Sequence, residues 1–231
     1  MPRQARVVAV DVPHHITHRG NNRQDVFLSD EDRCRYQQLL SLHLRACRVD
    51  LLGWCWMTNH VHMIAVPRRE DSLARLIRRV HSGHAQQFNR THQRDGHLWK
   101  SRFYSCALDP GHLDVALLYV DLNPVRAAIT TEATAWRWSS ARAHATGRDD
   151  SGLLDWLSLE GFGGCADWAA RLSQPRDEQA ADQIRAATQS GKPFGDEHFQ
   201  RKLEAELGLA AGWSRIRSRE GRVRRKAAGA S

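Results

Sequence analysis

His60 and His62 stand one residue apart in a run, His60 to Val66, that reads as a β-strand. Alternate residues of a strand point to one side, so both imidazoles share a face and could chelate one divalent metal. In a chain with 13 histidines that spacing also arises by coincidence, and further residues must support it. Tyr119 and Asn123 lie four apart in a helical pattern and are neighbours on one face. That face flanks the apolar stripe Leu113, Ala116, Leu117 and Val120, which places a phenol at the edge of the core. Such a tyrosine, taken alone, packs with its hydroxyl bonded at the rim, as many do. Pro124 disfavours helical geometry at Asn123, so the helix should end there and aim the amide.

The elements that would position these residues follow from periodicity. Residues 12–18 read as a first strand leading into the loop Arg19-Gly20-Asn21-Asn22-Arg23-Gln24. Ser29 or Asp30 caps a helix carrying Leu39, Leu40, Leu44 and Cys47. Leu51 to Met57 and His60 to Val66 form two strands joined at Thr58-Asn59, an antiparallel hairpin. Asp71 or Ser72 then caps a helix with the stripe Leu73, Leu76, Ile77, Val80 and Phe88. A strand is expected within His97 to Leu108, and Asp109-Pro110 opens the helix of Tyr119. This order predicts an α+β fold: a ferredoxin-like or RRM-like antiparallel sheet with helices on one face and the other face free. A mainly helical extension follows. The expected division is a catalytic domain over 1–148, a helical accessory region over 149–212 and a basic tail over 213–231.

With 231 residues, 41% hydrophobic and 26% charged, the chain reads as a folded globular protein. It carries no run of eighteen apolar residues, and Met1 to Arg6 lacks the apolar stretch of a signal peptide, so a cytoplasmic, nucleoid-associated protein is expected. The five cysteines are scattered without a Cys-x-x-Cys pair and read as reduced core thiols. A net charge of +8 and a pI near 9.8 favour a polyanionic partner, nucleic acid first, because each phosphate neutralised releases counterions. The charge concentrates in two places. From Trp213 to Ser231 seven basic residues face Glu220 alone, and from Arg68 to Arg94 seven arginines face Glu70 and Asp71. Either run could equally be a solvated face.

Four strings occur in an order that resembles the REP-associated tyrosine transposases, within the single-tyrosine, HUH-type transposases of bacterial insertion sequences. They are Arg19-Gly20-Asn21-Asn22-Arg23, Met57-Thr58-Asn59-His60-Val61-His62, Gly96-His97-Leu98-Trp99-Lys100-Ser101-Arg102-Phe103, and Tyr119-Val120-Asp121-Leu122-Asn123-Pro124-Val125-Arg126-Ala127. Trp138-Ser139-Ser140 and Ser190-Gly191-Lys192-Pro193-Phe194-Gly195 look like the longer members of that group. Thr58 departs from it, standing where the family usually has proline, which bears on the turn more than on the histidines.

The resemblance implies His60 and His62 as metal ligands, Asn123 as the polar third ligand and Tyr119 as the nucleophile; imidazole, amide and phosphate oxygens suit Mg²⁺ or Mn²⁺ as the ion, although imidazole alone would also accept Zn²⁺. It implies nicking and strand transfer of single-stranded or hairpin DNA through a 5′-phosphotyrosine, by a monomer or a homodimer. Tyr104 is a second tyrosine near a basic segment, but only Tyr119 is followed by Asn-Pro. Aromatic rings stack on unpaired bases and arginines follow phosphates, so Arg19, Asn21, Asn22, Arg23, Trp99 and Arg102 are the expected DNA contacts, with Trp99 equally suited to the core. The basic tail could grip a hairpin stem or serve solubility. Two alternatives stand: a noncatalytic nucleic-acid-binding protein of the same fold, and a metal-dependent phosphodiesterase in which the histidines activate water.

Overall fold

A computed structural model describes residues 8–161 and 166–207; Cys165, Met1 to Arg6 and the basic run from Trp213 lie outside them. Six elements follow in order: β1 (His14–Arg19), α1 (Asp30–Cys47), β2 (Val49–Trp56), β3 (His60–Pro67), α2 (Ser72–Thr91) and β4 (Tyr104–Ala107). The strands pair antiparallel in the order β2-β3-β1-β4, the ferredoxin-like arrangement. The helix starts are written locally. Ser29 accepts from the Asp32 amide while the Asp32 carboxylate accepts from the Ser29 amide, a reciprocal cap with three acids at the positive end of α1. The β2-β3 turn forms with Thr58 in place, its carbonyl accepting from the amides of Val26 and Phe27.

Strand alternation splits the core in two. Ile16, Trp54, Trp56, Val61, Met63 and Ala65 face α1 and α2, where Tyr36, Leu40, Leu73, Leu76 and Val80 meet them. On the opposite face Leu52, Cys55, Ile64, Val66 and Cys106 are equally buried. This corrects the expectation of helices on one face only. The second face is covered by α3 (Leu113–Asp121) and by α8 (Glu178–Ser190), whose Leu117, Val120, Ala181 and Ile184 pack on it. An apolar face of that size is too costly to leave in water. One extra residue in β2, between Leu51 opposite Ala65 and Gly53 opposite Ile64, makes a bulge there. A Cβ on Gly53 would stand 2.5 Å from Leu117 Cδ2, so glycine permits the close approach of α3.

The strand expected within 97–108 shortens to β4, because Leu98 to Ser101 instead cross beside the Arg19 to Gln24 loop, with Gly20 bridged to Trp99. The chain does leave α-helical bonding before Pro124, and a further turn, α4 (Asn123–Arg126), follows at once. Proline cannot donate to the Val120 carbonyl; the Asn123 side-chain amide reaches it at 3.5 Å and the Tyr119 carbonyl at 2.8 Å.

Residues beyond 127 are tied to this frame. Short helices α5 (Ala141–Thr146), α6 (Trp156–Gly161) and α7 (Trp168–Leu172) precede α8, and α9 (Glu197–Glu206) ends the described chain. The Trp138 to Ser140 segment runs along β2, with Trp56 N–H donating to the Trp138 carbonyl. Phe194 extends the end of β4 through bonds with Ala107 and Asp109. Buried Asp121, at the end of α3, accepts from Ser140, His144 and Trp168. Of the cysteines, Cys47, Cys55 and Cys106 are buried as expected of core thiols, whereas Cys34 is exposed on α1. Among the described residues no helix is long and apolar enough to cross a membrane.

Candidate active site

In β3 the alternation places His60 and His62 on the face that α3 covers, with ring centroids 4.9 Å apart. Tyr119 projects from α3 toward them. Its ring lies edge-on to His62 at 5.6 Å between centroids and edge-on to His15 of β1 at 5.4 Å. The phenol is 5% exposed, and Asn123 adjoins it one turn on. The residues singled out for metal binding and nucleophilic attack therefore adjoin one another.

The surroundings hold the imidazoles neutral. Burial pushes His60 down to about 3, helped by Arg19, the residue paired opposite it in β1. His62 is pushed well below its ordinary value by burial, with His60, His15, Arg19 and Arg185 adding to the effect. Neutral imidazole is the form that ligates metal. His62 uses Nδ1 in a 2.9 Å bond with His15 Nε2, and His60 uses Nδ1 in a 2.7 Å bond with Asn59 Oδ1, leaving both Nε2 atoms for a ligand. The Asn123 amide nitrogen is spent on backbone carbonyls, which leaves its oxygen as a donor to a hard cation. Among the described residues no three His, Cys, Asp or Glu side chains gather as a metal site, so an ion here would take two imidazoles and complete its shell with amide, phosphate or water oxygens. The donor set fits Mg²⁺ or Mn²⁺ bound with substrate.

Burial raises the Tyr119 phenol above its ordinary value, and Arg185, Arg126 and Asn123 pull it back. The guanidinium carbons of Arg126 and Arg185 lie 5.3 and 5.9 Å from its ring centroid. Arg126 is steadied by Glu178 at 3.2 Å and Arg185 by Asp182, both carboxylates on α8. Sequence reasoning missed His15, Thr188, Arg126 and Arg185. For His15 a signal existed, since it shares a strand face with Thr17 and Arg19 opposite the buried Ile16; for Arg185 and Thr188 none did, because nothing local says where α8 docks.

The expected DNA contacts divide. Arg19, Asn22, Arg23 and Arg102 are exposed and Asn21 is half-buried. Backbone bonds Asn21 N–H to Leu98 O and Lys100 N–H to Arg19 O bring their two segments together at the His60 end of the sheet. Trp99 does not belong with them. It is 9% exposed, its Nε1–H donates to the His81 carbonyl, and its ring stacks on His81 and His18, so it serves the core between β1 and α2. Tyr104 is exposed on edge strand β4, opposite Thr17, two strands from His62.

A ferredoxin-like sheet that turns a histidine pair toward a tyrosine on a covering helix is the frame expected of a single-tyrosine transposase domain. Residues 9–123 match the family described as Transposase IS200 like, and that segment carries the family's domain. Among solved structures, a REP-associated tyrosine transposase bound to a REP hairpin shares the fold, with a TM-score of 0.53 and 19% identity over 65% of this chain and 90% of its own. Another, from Deinococcus radiodurans R1, is 15% identical over 55% of this chain and 92% of its own, with a TM-score of 0.36. No curated protein matches the chain.

Proposed function

We propose that the chain nicks and rejoins single-stranded DNA, with Tyr119 as nucleophile. The observation that carries this is the edge-on approach of the Tyr119 ring to His62, 5.6 Å between centroids, beside the paired His60. Attack of the phenol oxygen on a backbone phosphorus forms the Tyr–O–P bond and breaks the bond to the 3′ oxygen. The products are a 5′-phosphotyrosine and a 3′-hydroxyl, the latter taking up a proton; reversal with another 3′-hydroxyl gives strand transfer. Arg126 and Arg185 favour the developing phenolate and can hold a non-bridging phosphate oxygen. An ion such as Mg²⁺ or Mn²⁺ held by His60, His62 and Asn123 would polarise the phosphate. Arg19, Asn21, Asn22, Arg23 and Arg102 form a rim that would follow the backbone of the incoming strand. Hairpin-forming palindromic repeats are the favoured substrate, supported by the hairpin-bound transposase that shares the fold.

End-labelled hairpin DNA incubated with Mg²⁺ or Mn²⁺ and run on a denaturing gel should yield a protein-linked fragment from the wild type and none from Tyr119→Phe, which should still shift the hairpin on a native gel. Undiminished cleavage by the phenylalanine variant would overturn the assignment in favour of activated water, and a shift without cleavage by the wild type would mark a binding protein.

A further inference from the structure

Behind the histidine pair runs a chain of buried hydrogen bonds that ends on α8, outside the family-matched segment 9–123. His62 Nδ1 lies 2.9 Å from His15 Nε2, His15 Nδ1 lies 2.6 Å from Thr188 Oγ1, and Thr188 Oγ1 lies 2.7 Å from the Ile184 carbonyl. All three side chains are at most 4% exposed. The proton positions follow from donor and acceptor chemistry alone. A carbonyl oxygen only accepts, so the single Thr188 hydroxyl proton points to Ile184. Thr188 Oγ1 then has only lone pairs for His15, and His15 must carry its proton on Nδ1. A neutral His15 has a bare Nε2, which accepts, so His62 must carry its proton on Nδ1. What remains is a bare lone pair on His62 Nε2. Cys106 Sγ, 3.3 Å from Thr188 Oγ1, can donate into the second lone pair of that oxygen without disturbing the order.

We infer that Thr188 and His15 are positioning residues which, through this one-way chain, lock His62 in the tautomer that presents Nε2 as a ligand. The inference rests on the metal-assisted reading of the site and deepens it: the helix that follows the matched domain sets which nitrogen of the ligand is available. Histidine ligands elsewhere owe orientation and basicity to the bond made by the second ring nitrogen, and its loss costs about 10–100-fold in metal affinity. Here that bond partner is another imidazole, which could accept or donate, so only the threonine makes it an acceptor. Valine at 188 has nearly the shape of threonine but no lone pair to offer.

The test uses the full chain. In the metal-free protein, nitrogen-15 shifts of the histidine rings should show His62 and His15 both protonated at Nδ1. Thr188→Val should lose that fixed pattern at His15 and His62 and weaken Mn²⁺ binding, followed by calorimetry, by about 10–100-fold, with Thr188→Ser restoring both. His62 protonated at Nε2 in the wild type would overturn the inference even if the valine variant failed to fold. So would Mn²⁺ bound through His62 with equal affinity in wild type and Thr188→Val. A wild type with the expected tautomers that takes up no Mn²⁺ would instead overturn the metal reading and leave the hydrogen-bond order standing.

Discussion

Replacing Asp121 with alanine asks how firmly the C-terminal region is joined to the tyrosine-bearing helix. Its side chain is fully buried at the end of α3. Oδ1 accepts from Ser140 Oγ at 2.8 Å, while Oδ2 accepts from His144 Nδ1 at 2.7 Å and Trp168 Nε1 at 2.9 Å. Alanine strands three donors. Ser140 can turn to the Trp54 carbonyl, 3.2 Å away, and a His144 ring that gives up its charge keeps one proton on Nε2 for the Leu52 carbonyl, 2.8 Å away, but the indole has no second choice among the bonds it makes. Each buried donor left without a partner costs about 1–3 kcal/mol. Together with the loss of the charge beside His144, the expected cost is about 3–5 kcal/mol. Asp121→Asn should behave differently: the new amide oxygen can accept from Trp168 and from a neutral His144, which then gives up its donation to the Leu52 carbonyl, while the amide nitrogen donates to Ser140, so this change should cost only about 1–2 kcal/mol. Urea unfolding at neutral pH should show a midpoint lowered by roughly 1–2 M for alanine and far less for asparagine. The pH dependence adds a second readout. Burial lowers His144, but Asp121, with the Leu52 carbonyl and Asp149 adding to it, raises the folded value above the ordinary 6.5. Its stabilisation is therefore complete below pH 6.5 and lost as pH rises through the folded value, a decline that Asp121→Asn should abolish. An alanine variant within about 1 kcal/mol of wild type, or an asparagine variant equally damaged, would refute this account.

Arg185→Gln should slow adduct formation by about 100-fold while leaving hairpin affinity much less affected, and should move the rise of the pH–rate profile to higher pH, because Arg185 lowers the Tyr119 phenol; single-turnover cleavage across pH checks both. Burial lowers His14 to about 4, so its neutral form stabilises fully above pH 6.5 and that contribution is lost as the solution is acidified toward 4. At pH 5 His14 alone should cost about 2 kcal/mol relative to pH 7, read from urea midpoints, and a flat profile would show the ring to be reached by water. Trp99→Phe should lower stability by about 0.5–1.5 kcal/mol through the lost indole bond to the His81 carbonyl yet leave hairpin affinity unchanged, whereas Arg23→Ala should weaken binding and reduce its salt slope by about 1.

What could be read along the chain was whatever depends on spacing within one element. The alternation that pairs His60 with His62, the helical step from Tyr119 to Asn123 and the Ser29 cap each need only a few neighbouring residues, and each is present in the structure. What escaped depends on which element lies on which. Trp99 sits in a basic, aromatic segment that suits stacking on DNA, and only the docking of α2 against β1 shows that its partners are His81 and His18. The second sheet face was expected to be bare because the ferredoxin-like pattern is complete at β4; α3 and α8 claim it through residues such as Leu117 and Ile184. The consequence for function is specific. Arg185 and Thr188 on α8 reach the phenol and the His15-His62 pair from a region that composition marks only as short helices joined by Gly and Pro. On the proposed reading the matched segment supplies the reacting groups, while the charge beside Tyr119 and the acceptor behind His62 come in part from residues that follow it.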